Sequence, residues 1–189
     1  MKFNQAELID DLVARTQDIL NRTLPMQELS NAELNARTAP DSWSVLECME
    51  HLNRYGDYYL AEMRKQMDGS NRPATVEFKS NWLGNYFAGV MLPREKPNKM
   101  NSPKNMNPHG SQLDKKVVET FIKQQKETLK LLAVAREKNL TKVTTGITLT
   151  QWIRIRLGDT FRVVVYHNVR HVLQMERVLK ELNIEYQAA

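Results

Sequence analysis

His167 and His171 stand four residues apart near the C-terminal end, in the run Tyr166-His167-Asn168-Val169-Arg170-His171-Val172-Leu173-Gln174. On a helix such residues lie one above the other on the same face, so both imidazoles can reach one transition-metal ion. The surroundings are helical in pattern. Phe161, Val165, Val172, Met175, Leu179 and Leu182 form an apolar stripe, and His167, His171 and Gln174 lie on the adjoining stripe with Val164 and Val178. The pair should therefore face the interior of a helical bundle. A pair of this kind also arises by accident, and a third histidine gives it weight.

His51 is that third residue, in Trp43-Ser44-Val45-Leu46-Glu47-Cys48-Met49-Glu50-His51-Leu52. The motif Trp-Ser-x-x-Glu-x-x-x-His-Leu, followed about 115 residues later by His-x-x-x-His-x-x-Gln, resembles the DinB-like superfamily over nearly the whole chain. The resemblance implies an all-α, four-helix-bundle fold with a long crossover loop between the second and third helices. It also implies a metal site whose ligands would be His51, His167 and His171. Three neutral imidazoles suit a divalent transition metal, zinc or nickel first, and are too soft for magnesium or calcium. Three protein ligands leave a coordination position for water or substrate, which is the catalytic pattern. An ion held in this way lowers the pKa of a water or holds a thiol as thiolate at neutral pH.

Characterised members of the superfamily include enzymes that join a low-molecular-weight thiol such as bacillithiol, mycothiol or glutathione to an electrophile, and isomerases or hydrolases that use similar thiols. The resemblance therefore implies a thiol S-transferase acting on a small-molecule substrate. The alternatives are a metal-dependent hydrolase and a non-catalytic metal-binding or stress-response protein. Gln174 and Asn168 are candidates to orient a ligating ring or a bound water. Glu47 has two roles open to it: capping a helix with Ser44, which needs no further assumption, or turning toward His51. Arg170 projects about 100° from the face of His171 and suits a surface ion pair better than a cofactor contact. Cys48 reads as a small buried hydrophobe. His109, in Asn107-Pro108-His109-Gly110, reads as a solvated loop residue and not a fourth ligand.

The elements that must position these residues follow from the apolar spacing. A first helix spans about 3–24, where Pro25 stops it. A connection over 25–42 leads to a second helix from the Ser44–Glu47 capping box to about Met67. Residues 68–110, with Pro73, Pro93, Pro97, Pro103 and Pro108, read as an irregular crossover. Its aromatic patch Trp82, Tyr86 and Phe87 either anchors the loop or covers the mouth of the site. A third helix should begin near Ser111 and run to about Lys138. Ile153, Ile155 and Leu157 alternate with Trp152, Arg154 and Arg156 like a strand. No partner strand is evident, so a loop and a short helical turn are expected over 141–157. Gly158-Asp159 would open the fourth helix.

At 189 residues the chain reads as one domain spanning 1–189. The hydrophobic share of 41% and charged share of 26% are those of a soluble globular protein. One cysteine, no apolar leader and no spanning run point to a cytoplasmic protein without a membrane partner. The net charge of +5 does not make a nucleic-acid partner, because basic residues are interleaved with acidic ones, as in Arg94-Glu95-Lys96. Related bundles pair, so a homodimer is expected, with Trp82, Tyr86 and Phe87 in its interface or under the long loop.

Overall fold

The computed structural model describes residues 1–93 and 102–186. The Arg94-Glu95-Lys96 run and Pro97 lie outside the described residues. Four long helices carry the structure: α1 (Gln5–Thr23), α3 (Val45–Asp68), α5 (Lys116–Ala135) and α6 (Leu157–Glu181), with two short ones, α2 (Asn31–Asn35) and α4 (Trp82–Met91). Each long helix presents one apolar stripe, and the stripes meet along Leu12 and Ile19 of α1, Met49 and Met63 of α3, Phe121 and Leu132 of α5, and Phe161 and Val172 of α6.

Ion pairs and hydrogen bonds along the helices give their directions. Arg15 lies over the Tyr166 ring and Arg22 pairs with Glu176, so α1 and α6 run the same way. Asn53 bonds Val117, Asp57 bonds Gln124 and Arg64 pairs with Glu127, so α3 and α5 also run together. Asp10 pairs with Arg136, which sets the first couple against the second. Two helices in sequence can run parallel only through a long connection, and the segment between α3 and α5 supplies it.

That segment is more regular than its proline content suggests. Glu77–Lys79 forms β2, which pairs antiparallel with β1 (Lys2–Asn4) at the start of the chain. Asn81 then caps α4 by accepting from the Gly84 amide at 2.7 Å. Helix α4 packs on α6 so closely that a Cβ at Gly84 would come within 2.2 Å of Asp159 Oδ2. Trp82 and Tyr86 point outward, 80% and 61% exposed, while Phe87 is half-buried.

Two expectations need correction. Residues 141–157 are not a loop with a helical turn. They form a hairpin of β3 (Thr144–Ile147) and β4 (Thr150–Arg156), with Thr145 opposite Ile155. The alternation in β4 is a true strand signal, with Ile155 buried and Trp152 exposed; its partner, Thr-Thr-Gly-Ile, has no alternation of its own. The third helix starts at Lys116, not near Ser111. Asn35 holds Leu113 in a non-helical conformation, bonding its N–H at 3.1 Å and its carbonyl at 2.9 Å, and Asp114 caps the Lys116 amide at 2.8 Å.

No helix among the described residues is long and apolar enough to cross a membrane.

Candidate metal centre

Helix α3 is fixed at its start, one turn before His51. Ser44 Oγ accepts from the Glu47 amide at 3.2 Å, and Glu47 returns the bond from the Ser44 amide at 2.8 Å. The same carboxylate accepts two bonds from Arg37, both at 2.9 Å, and one from the Gly110 amide at 2.5 Å. Burial works against the charge on Glu47. Arg37 and the backbone donors outweigh it and hold the carboxyl below its usual range. Glu47 is thus a cap that ties two loops to the helix, its hydrogen bonds going to Ser44, Arg37 and Gly110 and not to His51.

His51 then projects from α3 toward His167 and His171 on α6. Its Nδ1 lies 2.7 Å from the Met106 carbonyl. A carbonyl only accepts, so Nδ1 carries the proton and the lone pair sits on Nε2. His171 is fixed in the same way by Gln174, whose Oε1 lies 2.9 Å from its Nδ1. The three Nε2 atoms converge: His167 Nε2 is 3.2 Å from that of His51 and 3.1 Å from that of His171. The Trp43 ring stacks on His171 and leans on His51, and Tyr55 meets His51 and His167 edge-on.

The electrostatics follow from enclosure. His51, His167 and His171 are 4%, 8% and 8% exposed. Burial pushes His51 down to about 4, with Arg54 adding to the effect. Burial and then the other histidines push His171 down to about 3 and His167 well below its usual value. All three rings are neutral at pH 7. A proton on His167 Nε2 can serve only one of its two neighbours, so the cluster gathers more lone pairs than it has hydrogens.

A shared cation removes that imbalance. Two nitrogens bound to one ion at about 2.0–2.1 Å stand about 2.9–3.4 Å apart at ordinary ligand angles, which is the spacing seen here. The donor set therefore fits a metal ion, and among the described residues these three form a buried group of ligand-type side chains whose donor atoms all lie within 4.8 Å of one another. They line a cavity of about 880 Å³ bounded by α3, α4, α5, α6 and the β3–β4 hairpin.

Other residues singled out by sequence fall in different places. Asn168 is not among the hydrogen-bond partners of the histidines; its Nδ2 donates to Gln125 Oε1 at 3.0 Å. Arg170 donates to the Val90 carbonyl at 3.2 Å, joining α6 to α4. His109 is exposed at the cavity rim, outside the cluster. Cys48 is fully buried, and burial pushes its thiol up, as for an inert packing residue. Sequence reasoning missed the Met106 carbonyl, since a backbone acceptor leaves no residue signature. It also missed Gln125, which reads as one more polar residue on α5.

A family profile described as the DinB superfamily matches residues 12–175, a span that includes all three histidines. No curated protein and no solved structure matches the chain. With that match over most of its length, and the helical fold that goes with it, the chain belongs to the DinB superfamily.

Proposed function

We propose that the chain is a metal-dependent enzyme in which His51, His167 and His171 hold one divalent transition ion, zinc or nickel, and that it transfers a low-molecular-weight thiol to an electrophilic small molecule. The convergence of three neutral Nε2 atoms on the wall of a cavity of about 880 Å³ carries this reading. A structural ion would need no such space beside it. When bound, the ion would supply the Lewis acidity that keeps a thiol deprotonated at neutral pH.

The rest is done by the chain itself. Met106 and Gln174 hold two imidazoles in the tautomer that offers Nε2, and Trp43 and Tyr55 keep the rings from turning. Gln174 and Arg177 lie on the cavity wall next to the cluster, where an anionic or zwitterionic thiol can be met. In the transfer, the new S–C bond forms as the leaving group departs with its electron pair, and the thiol proton passes to solvent.

The test is turnover of bacillithiol, mycothiol or glutathione with 1-chloro-2,4-dinitrobenzene, measured as chloride release, on protein purified without a histidine tag and reloaded with zinc or nickel. Elemental analysis of the same preparation reads the metal. Turnover that persists after complete chelation overturns the mechanism; stoichiometric metal without turnover for any of the thiols leaves a metal-binding protein. We also infer a homodimer, supported by the exposed Trp82 and Tyr86 on α4. A monomer mass by light scattering at high micromolar concentration excludes it.

A further inference from the structure

The cavity has two chemically different ends, with the histidines between them. Toward the C-terminus of α6 its wall carries Arg177 and Glu181. Toward the N-terminus of α6 no charged side chain is found among the described lining residues. That arm runs between Tyr59 and Leu60 of α3, Val163 and Val164 of α6, and Ile147 and Ile155 of the hairpin. Val164 and Arg177 are roughly 20 Å apart along the helix, so the two ends are separate places.

One polar feature is built into the neutral arm. Asn168 and Gln125 join their amides at 3.0 Å, and both side chains line the cavity while being 6% and 2% exposed. One amide–amide bond uses one donor and one acceptor. Whichever way round the two amides are read, three N–H groups and one C=O remain, and no partner for them is found among the described residues. These remaining groups open onto the cavity and are not enclosed by protein, so a ligand with one polar group can complete the pair. A carboxylate or ammonium in the same place would lose its water and meet no opposite charge among the described side chains of this arm. A hydroxyl or carbonyl would match the amide edge, and an apolar body would match the aliphatic and tyrosine walls.

We infer that this arm binds a neutral organic molecule with an apolar body and one hydroxyl or carbonyl group. In the reading above that molecule is the electrophile; its role rests on that reading, whereas its binding does not.

Calorimetric titration of the full chain with three naphthalene probes tests the inference. On the wild-type protein, 2-naphthol should bind best, and naphthalene and 2-naphthoate should each bind about tenfold weaker. Gln125→Leu should bring 2-naphthol down to the level of naphthalene, and Val164→Trp, which fills the arm, should abolish binding of all three. Equal or tighter binding of 2-naphthoate overturns the inference, as does a 2-naphthol advantage that survives Gln125→Leu. If Gln125→Leu does not fold, the wild-type ranking decides. The same titration on His51→Ala keeps the two readings apart. Because binding in this arm does not depend on the metal, the probe ranking should persist in His51→Ala, and wild-type metal content in that variant sinks only the metal reading. Normal metal content without the probe ranking sinks only this one.

Discussion

Asp159 and Arg162 occupy the first turns of α6, and His167 and His171 follow on the same helix. Both groups are buried, and the same rod carries them. The first is an ion pair: Arg162 donates to Asp159 Oδ1 at 2.9 Å, Ser80 donates to the same oxygen at 2.6 Å, and Asn85 takes the other arm of the guanidinium at 3.1 Å. The Phe3 ring lies 4.6 Å from the guanidinium carbon. Opposite charges meet there, and the contacts bind β1, the crossover and α4 to α6. The histidine cluster is built the other way. Its second nitrogens are held by Met106 and Gln174, so like acceptors are pushed together. The first cluster joins opposite charges through protein groups and fastens the fold, with only Asp159 Oδ2 and Arg162 Nε left without a partner among the described residues, while the second gathers lone pairs that a cation would satisfy. Burial of polar groups alone therefore does not mark a site. The sign of what faces what does.

The sharpest way to break that comparison is to delete one histidine. His51→Ala and His167→Ala should each lose essentially all bound metal by elemental analysis and all metal-dependent turnover, with the helical circular dichroism unchanged. His109→Ala should keep full metal. Wild-type metal content in His51→Ala would mean that the convergence is not a binding site.

The ion pair should respond in the opposite sense. Asp159→Ala leaves Arg162 buried and uncompensated, and breaking such a pair costs about 3–5 kcal/mol. Urea midpoints should drop accordingly, while metal bound per folded molecule stays near wild type. A change in metal affinity larger than the change in stability would show the two clusters to be coupled along α6.

These contrasts also explain what the sequence made legible. The histidines were readable because helical spacing is local and His51 sits in a motif with its own cap; Ser44 and Glu47 are three residues apart and need no distant partner. The ion pair was not readable, since Asp159 and Arg162 at that spacing look like a surface couple until Ser80 and Asn85 arrive from the crossover. The hairpin was hidden for the same reason. Ile153 and Ile155 announce a strand, but Thr144–Ile147 carries no pattern that names it as the partner. Gln125 and Asn168 lie 43 positions apart and acquire meaning only when α5 meets α6.

Acid should separate the clusters further. The folded-state pKa values of His51 and His171, about 4 and about 3, lie below the unfolded value of about 6.5. In that window the unfolded chain binds more protons, so stability is full above pH of about 6.5 and falls as pH drops toward about 4. The metal-free protein should melt at lower temperature at pH 5 than at pH 7. Added zinc should raise the melting temperature more at pH 7 than at pH 5, because protons compete for the same nitrogens. The burial that lifts the Asp159 carboxyl above its usual range acts oppositely and softens the acid loss. A metal-free melting temperature that is flat between pH 7 and pH 5 would contradict neutral, enclosed histidines.

The smallest expected effect falls on Gln174, which touches the cluster without belonging to it. Its Oε1 accepts from His171 Nδ1 at 2.9 Å and so decides which nitrogen of that ring faces His167. Gln174→Leu keeps the side-chain volume close and removes only the acceptor. The ring can then protonate or rotate in ways that turn its lone pair out of the cluster. Outer partners of this kind are typically worth about 10–100-fold in metal affinity, well short of the loss on removing a ligand. A structural role alone would lower the melting temperature of the metal-free protein. Ring positioning should instead weaken zinc affinity while leaving that temperature nearly unchanged, and Gln174→Glu, which restores an acceptor, should recover the affinity. Failure of glutamate to rescue would place the fixing of His171 in the Trp43 stack instead, and Trp43→Leu would then carry the larger loss.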